Sequence, residues 1–124
     1  MNAKTRNIIG WVLTGLLAAL FLFSASMKFM PNGDAAKGMA AMGLSASTVM
    51  LIGTVEALSL LLFMIPRTGL LGTLLLAAYL GGAIATHFEH GQSAMMPIIV
   101  ECVVWITAVI RFPELSKRLT GNLQ

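Results

Sequence analysis

Residues 51–87 read LIGTVEALSLLLFMIPRTGLLGTLLLAAYLGGAIATH: two apolar runs of helix length with PRTG (66–69) between them. A helix needs about 20 apolar residues to cross a hydrocarbon core, and both runs are close to that length. The Pro and Gly of the intervening four residues mark a tight turn. Two antiparallel spans joined at one membrane face are therefore expected. The first run carries one carboxylate, Glu56, near its middle, and a charge at that depth needs a reason.

Working outward, the rest of the chain is just as apolar. Of 124 residues, 57% are hydrophobic and 10% charged, and the mean hydropathy is +0.86. That balance lies well outside the range of soluble domains. Four spans are predicted, at 8–29, 47–65, 69–88 and 95–112. The expected fold is an all-α integral membrane four-helix bundle forming a single domain over 1–124, in which short turns make sequential helices antiparallel neighbours. A cleaved signal peptide is the competing reading of the first run, which follows Lys4 and Arg6 and ends in small residues. Its apolar stretch exceeds the core of about 7 to 15 residues usual in such peptides, so it is read as a span.

Charge sets the expected orientation. Lys4, Arg6, Arg67, Arg111, Lys117 and Arg118 fall on one face and Lys28 and Lys37 on the other, which puts both termini in the cytoplasm by the positive-inside rule. The net charge of +3 then reads as a topology signal and as contact with anionic lipid headgroups, with no nucleic-acid partner. Between the first two spans, Asp34 is expected to cap a short amphipathic helix that ends at Gly43 and lies in the outer interface, Met39 and Met42 on one side. The polar tail ELSKRLTGNLQ is expected to fray. Ala77, Gly81 and Ala85, with Ala78 and Gly82 beside them, are expected to let the third span approach a neighbour closely.

Ionisable residues in a span usually face the bundle interior, because a charge at the bilayer centre costs about 2.5–3.5 kcal/mol even on the mildest scale. Glu56 lies nine residues from each end of its predicted span, at the midplane. Gly53 and Ser59 share its face. On the third span Tyr79, Ala83 and His87 fall in line, Thr86 beside them; the first offers Ser24 and Lys28, the fourth Glu101 and Trp105. With the topology above, Lys28, His87 and Glu101 all lie in the outer half, above Glu56. One site lined by Lys28, Glu56, Tyr79, His87, Glu101 and Trp105 is expected, with Glu56 and His87 as the candidate catalytic pair.

Each residue also has a plainer role. Lys28 near a helix end can snorkel, Glu101 can reach interfacial water, His87 can bond a neighbouring helix, and Glu56 can be a protonated acid donating one structural hydrogen bond. Cys102 is the single cysteine, so no intramolecular disulfide forms. Seven of nine methionines lie toward the outer side, where with His87 and His90 they suit Cu(I). Methionine is also the common gap filler of apolar packing, and no repeated spacing marks a dedicated metal motif, so no metal ligand is assigned. No phosphate loop, Cys cluster or nucleophile elbow occurs.

Taken in order, RNIIGWVLTGLLAALFLFSASMKF, the run from Gly43 through Gly91, and the closing WITAVIRFPEL resemble the DoxX-like family of small bacterial membrane proteins. The most specific stretches are SASMK (24–28), IGTVE (52–56), IPRTGLLG (65–72) and GGAIATH (81–87). The resemblance covers nearly the whole chain. It implies a four-helix bundle in the bacterial inner membrane, with some relatives linked to quinone-coupled oxidoreductases such as the membrane part of thiosulfate:quinone oxidoreductase. The family's polar positions carry over to Lys28, Glu56 and His87; Glu101 matches no motif position.

The function expected from residues and resemblance together is a polar pocket in an apolar bundle. It binds a quinone-like or other lipophilic ligand, His87 and Lys28 holding a ligand oxygen while Glu56 binds or relays a proton. A quinone is the expected cofactor and a redox protein the expected partner; self-association and catalysis are left open. Two other classes fit the same residues. A proton-coupled transporter of small molecules would use Glu56 as its exchanging carboxylate, and a membrane assembly factor would use the interior polar groups for helix packing alone.

Overall fold

The computed structural model describes residues 2–30 and 32–121. Among the described residues there are six helices: α1 (Ala3–Lys28), α2 (Asp34–Ala41), α3 (Ala46–Met64), α4 (Gly69–Glu89), α5 (Met95–Arg111) and α6 (Pro113–Thr120), with a 3₁₀ turn at Pro66–Thr68 between α3 and α4. The four long helices close into a ring in which α1 packs on α3, α3 on α4, α4 on α5, and α5 on α1. Leu17, Phe21, Leu60, Phe63, Leu76, Leu80, Val100 and Val104 meet in its core. The outer faces are as apolar as the interior: Leu16, Phe23, Leu51, Leu74 and Ile106 are all more than half exposed. Only hydrocarbon suits such a surface.

The expected helix positions hold, with shifts at the ends. α1 begins five residues before the apolar run, because the Asn2 side chain accepts the Thr5 N–H at 2.8 Å and caps a first turn too polar for hydropathy to register. Three helical segments, Ala3–Lys28, Ala46–Met64 and Pro66–Glu89, are long and apolar enough to cross a membrane, and there are four if α5 and its bent continuation count as one span. α5 itself has 17 residues. At Pro113 the chain bends by 106° into α6, because the residue before a proline is driven out of helical geometry, and Phe112 is extended.

That bend corrects the reading of the tail as frayed. Residues 113–120 are helical, with Pro113 in the first turn, Glu114 beside it, Lys117 and Arg118 in the last turn, and Gly121 at φ 75°. These are ordinary helix start and stop signals; residues 122–124 of the tail lie outside the described ones. The short helix after the first span is present, but Gly33 is its N-cap and Asp34 its first residue. It ends in a Schellman motif: Gly43, at φ 84°, donates to the Ala40 carbonyl, and Leu44 donates to Met39.

The close helix approach lies elsewhere than expected. A Cβ on Gly81 or Gly82 would meet nothing within 4 Å, whereas one on Gly72 would stand 2.1 Å from the Phe63 nitrogen. The α3–α4 pair is thus tightest beside its turn. There the Thr68 hydroxyl also donates to the Leu62 carbonyl at 2.8 Å.

Candidate functional site

Glu56, in the middle of α3, is 1% exposed, and Lys28, the last residue of α1, is 6% exposed. Their side chains meet as an ion pair with Nζ 2.8 Å from Oε2. Gly53, one turn before Glu56, permits this approach, since a Cβ there would sit 3.0 Å from the Lys28 Cβ. Lys28 also donates to the Ser24 hydroxyl at 2.7 Å and toward the Ser24 carbonyl at 3.5 Å. From α4, the Tyr79 hydroxyl donates to the same Glu56 Oε2 at 3.0 Å, and its ring centroid lies 5.9 Å from the ammonium. Lys28 therefore does not snorkel. With two donors converging on one oxygen, Glu56 is an acceptor, and the ion pair is satisfied as buried charges must be.

His87 reaches the same place from the last turn of α4. Its Nδ1 lies 2.6 Å from the Ala83 carbonyl; a carbonyl only accepts, so Nδ1 carries the proton. Its position is fixed by the way α4 stops: Gly91, at φ 67°, donates to the Phe88 carbonyl, and Gln92 donates to the His87 carbonyl at 2.8 Å. The sequence EHGQ thus holds His87 in place.

These groups line a cavity of about 240 Å³ whose other walls are apolar, among them Leu20, Phe21, Met39, Met96 and Val100. A second cavity of about 250 Å³ adjoins it, sharing Met39, Tyr79, Ala83 and His87 and extending past Met42 and Thr86. Both lie toward the end of the bundle away from Asn2 and α6. Helix α2 supplies Met39 to both walls and its C-cap Met42 to the second, so the short helix after the first span is part of the site.

Four of the six expected site residues come together: Lys28, Glu56, Tyr79 and His87. Glu101 and Trp105 do not join them. They line a separate shallow groove on the outside of the bundle with Ile84, Ile98, Cys102 and Ile106, because α5 turns Pro97, Val100 and Val104 toward the interior. Ser59, though buried, bonds the Val55 carbonyl of its own helix, and Thr86 does the same with Gly82.

Sequence reasoning missed Pro97, Val100 and Met96 as cavity walls. It also missed a second polar node: Arg111, taken for part of the basic fringe, donates to the Phe63 carbonyl at 2.8 Å and toward the Met64 carbonyl at 3.4 Å. Its guanidinium lies 4.6–5.0 Å from the rings of Trp11, Phe112 and Phe63. Its place inside the apolar stretch WITAVIRFP was the available signal. Compared with known proteins, residues 12–110 match the model of the DoxX-like family. Neither the curated proteins nor the solved structures give a match.

Proposed function

The chain belongs to the DoxX-like family and is a multi-pass membrane protein, and from that premise we propose that it binds a lipophilic, quinone-like ligand in the cavity beside the Lys28–Glu56 pair. The observation that carries this reading is the pair itself, buried, bonded to Tyr79, and forming the polar wall of an otherwise apolar cavity. A few convergent polar groups in a concave apolar surface are what a small-molecule site requires. A pair kept only for packing needs no empty space beside it, since well-packed apolar residues serve stability as well or better.

In this reading the ligand's ring lies among Leu20, Phe21, Met96 and Val100, and its polar head meets Glu56 and His87. Glu56 takes up or relays a proton, with Lys28 and Tyr79 stabilising its charge. The protein acts as an accessory subunit of a redox system in the bacterial inner membrane, a partner protein supplying the electrons. The end that carries Arg6, Arg67 and Arg111 faces the cytoplasm, with both termini, so the cavity opens toward the outer leaflet.

Native mass spectrometry of the detergent-purified protein tests the reading, with adducts released and identified for wild type and for Glu56→Gln. A lipophile retained by wild type and absent from a folded Glu56→Gln supports the site. Equal adducts on both proteins, or none on a folded wild type reconstituted with quinone-containing lipid extract, reject it.

A further inference from the structure

The hydrogen-bonding inventory of the cavity says more than that a polar head fits there; it says which kind. Lys28 directs its protons to Ser24 and Glu56, and Tyr79 gives its single proton to Glu56. Both of these bonds end on Oε2. Oε1 receives none from the described residues, and no described polar side-chain atom is both sealed from the surface and without a partner, so Oε1 faces the cavity that Glu56 lines. His87 commits its Nδ1 proton to Ala83, and in that tautomer of the imidazole Nε2 carries a lone pair and no proton. His87 lines both cavities. Ser24 accepts from Lys28, and its own hydroxyl proton is the donor that remains.

The cavity thus presents two open acceptors, Glu56 Oε1 and His87 Nε2, against one open donor and a Lys28 proton held only loosely by the Ser24 carbonyl at 3.5 Å. A ligand carbonyl takes the Ser24 proton and leaves both acceptors facing its lone pairs. A ligand hydroxyl donates to one acceptor and accepts from Ser24. We infer, resting on the ligand-site reading above, that the site selects apolar molecules whose head carries a hydroxyl over those that offer an oxygen acceptor alone. Of a redox pair built on one ring, the dihydroxy form is the one whose hydrogens match this wall. The discrimination is not small, because a site with open acceptors penalises an analogue that lacks the donor by leaving those acceptors unpaired.

Two probes of one shape isolate the effect: 4-decylphenol and its methyl ether, 4-decylanisole, titrated against the intact protein in detergent and in lipid nanodiscs. The phenol should bind at least about 10-fold more tightly. In His87→Asn, whose amide keeps a donor near the Ala83 carbonyl but lacks Nε2, the ratio should fall at least threefold. Equal binding of the two probes to wild type overturns the hydroxyl selection while leaving the ligand site standing. Failure of both probes to bind overturns the ligand site and the selection together. An unchanged ratio in a folded His87→Asn overturns the part assigned to His87.

Discussion

Two cations, Lys28 buried and Arg111 partly buried, lie near opposite ends of this bundle, and their company differs in kind. Arg111 meets only neutral partners: the two carbonyls that end α3 and three aromatic rings. It thereby supplies donors to carbonyls that the helix itself leaves open and complements the negative end of the α3 dipole. Lys28 instead meets a carboxylate that also holds a phenol, and the three stand on the wall of a cavity. A guanidinium among carbonyls and rings has nothing to exchange with a ligand, whereas an ammonium–carboxylate–phenol cluster can hold or pass a proton. Each also lines a cavity, Arg111 one of about 400 Å³ beside Arg6, Trp11 and Glu114, so a cavity alone does not mark a functional site. The partners do.

The largest effect that separates the two nodes is charge left behind. Glu56→Leu strands the Lys28 ammonium and should lower stability by about 3–5 kcal/mol, while Glu56→Leu combined with Lys28→Met should recover most of that loss; unfolding in a detergent mixture, analysed as a double-mutant cycle, measures both. A single variant no worse than the double would dissolve the distinction between the nodes. Next comes packing. Gly72→Ala forces a Cβ against the Phe63 backbone and should cost about 1–3 kcal/mol or more, whereas Gly82→Ala, in open space beside the outer cavity, should be neutral or stabilise by up to about 1 kcal/mol.

Arg111→Met follows at about 1–3 kcal/mol, the cost of leaving neutral carbonyls without donors, and ligand retention should be unchanged once the protein is folded. Loss of ligand from a folded Arg111→Met would break the comparison from the other side. The smallest effect belongs to Glu101→Gln on the outer groove. It should stay within about 0.5 kcal/mol in stability and leave adduct mass spectra as they are.

Much of this was legible in the sequence, for identifiable reasons. Glu56 stood out because a carboxylate at mid-span is costly unless it turns inward, and Lys28 and His87 stood out because they close two helices on the same side. The four long helices followed from hydropathy and the PRTG turn. Glu101 was misplaced because depth in the membrane says nothing about which face of α5 points inward, and that face is set by Pro97, Val100 and Val104. Arg111 was missed because counting charges for topology treats a basic residue at a helix end as solvated. Helix α6 was missed because hydropathy outweighed its capping signals. The cavity itself could not be read at all: it is empty space between α1, α2, α3, α4 and α5, fixed by where α2 folds back over the bundle.

The most direct test of the account is ligand retention in the Lys28→Met/Glu56→Leu double variant, measured by native mass spectrometry beside its thermal stability. Both charges are then gone together and the fold survives. Near-wild-type stability with the lipophilic adduct lost is the predicted result. An adduct retained at wild-type level in the folded double variant would show that the buried pair serves the bundle and not a ligand.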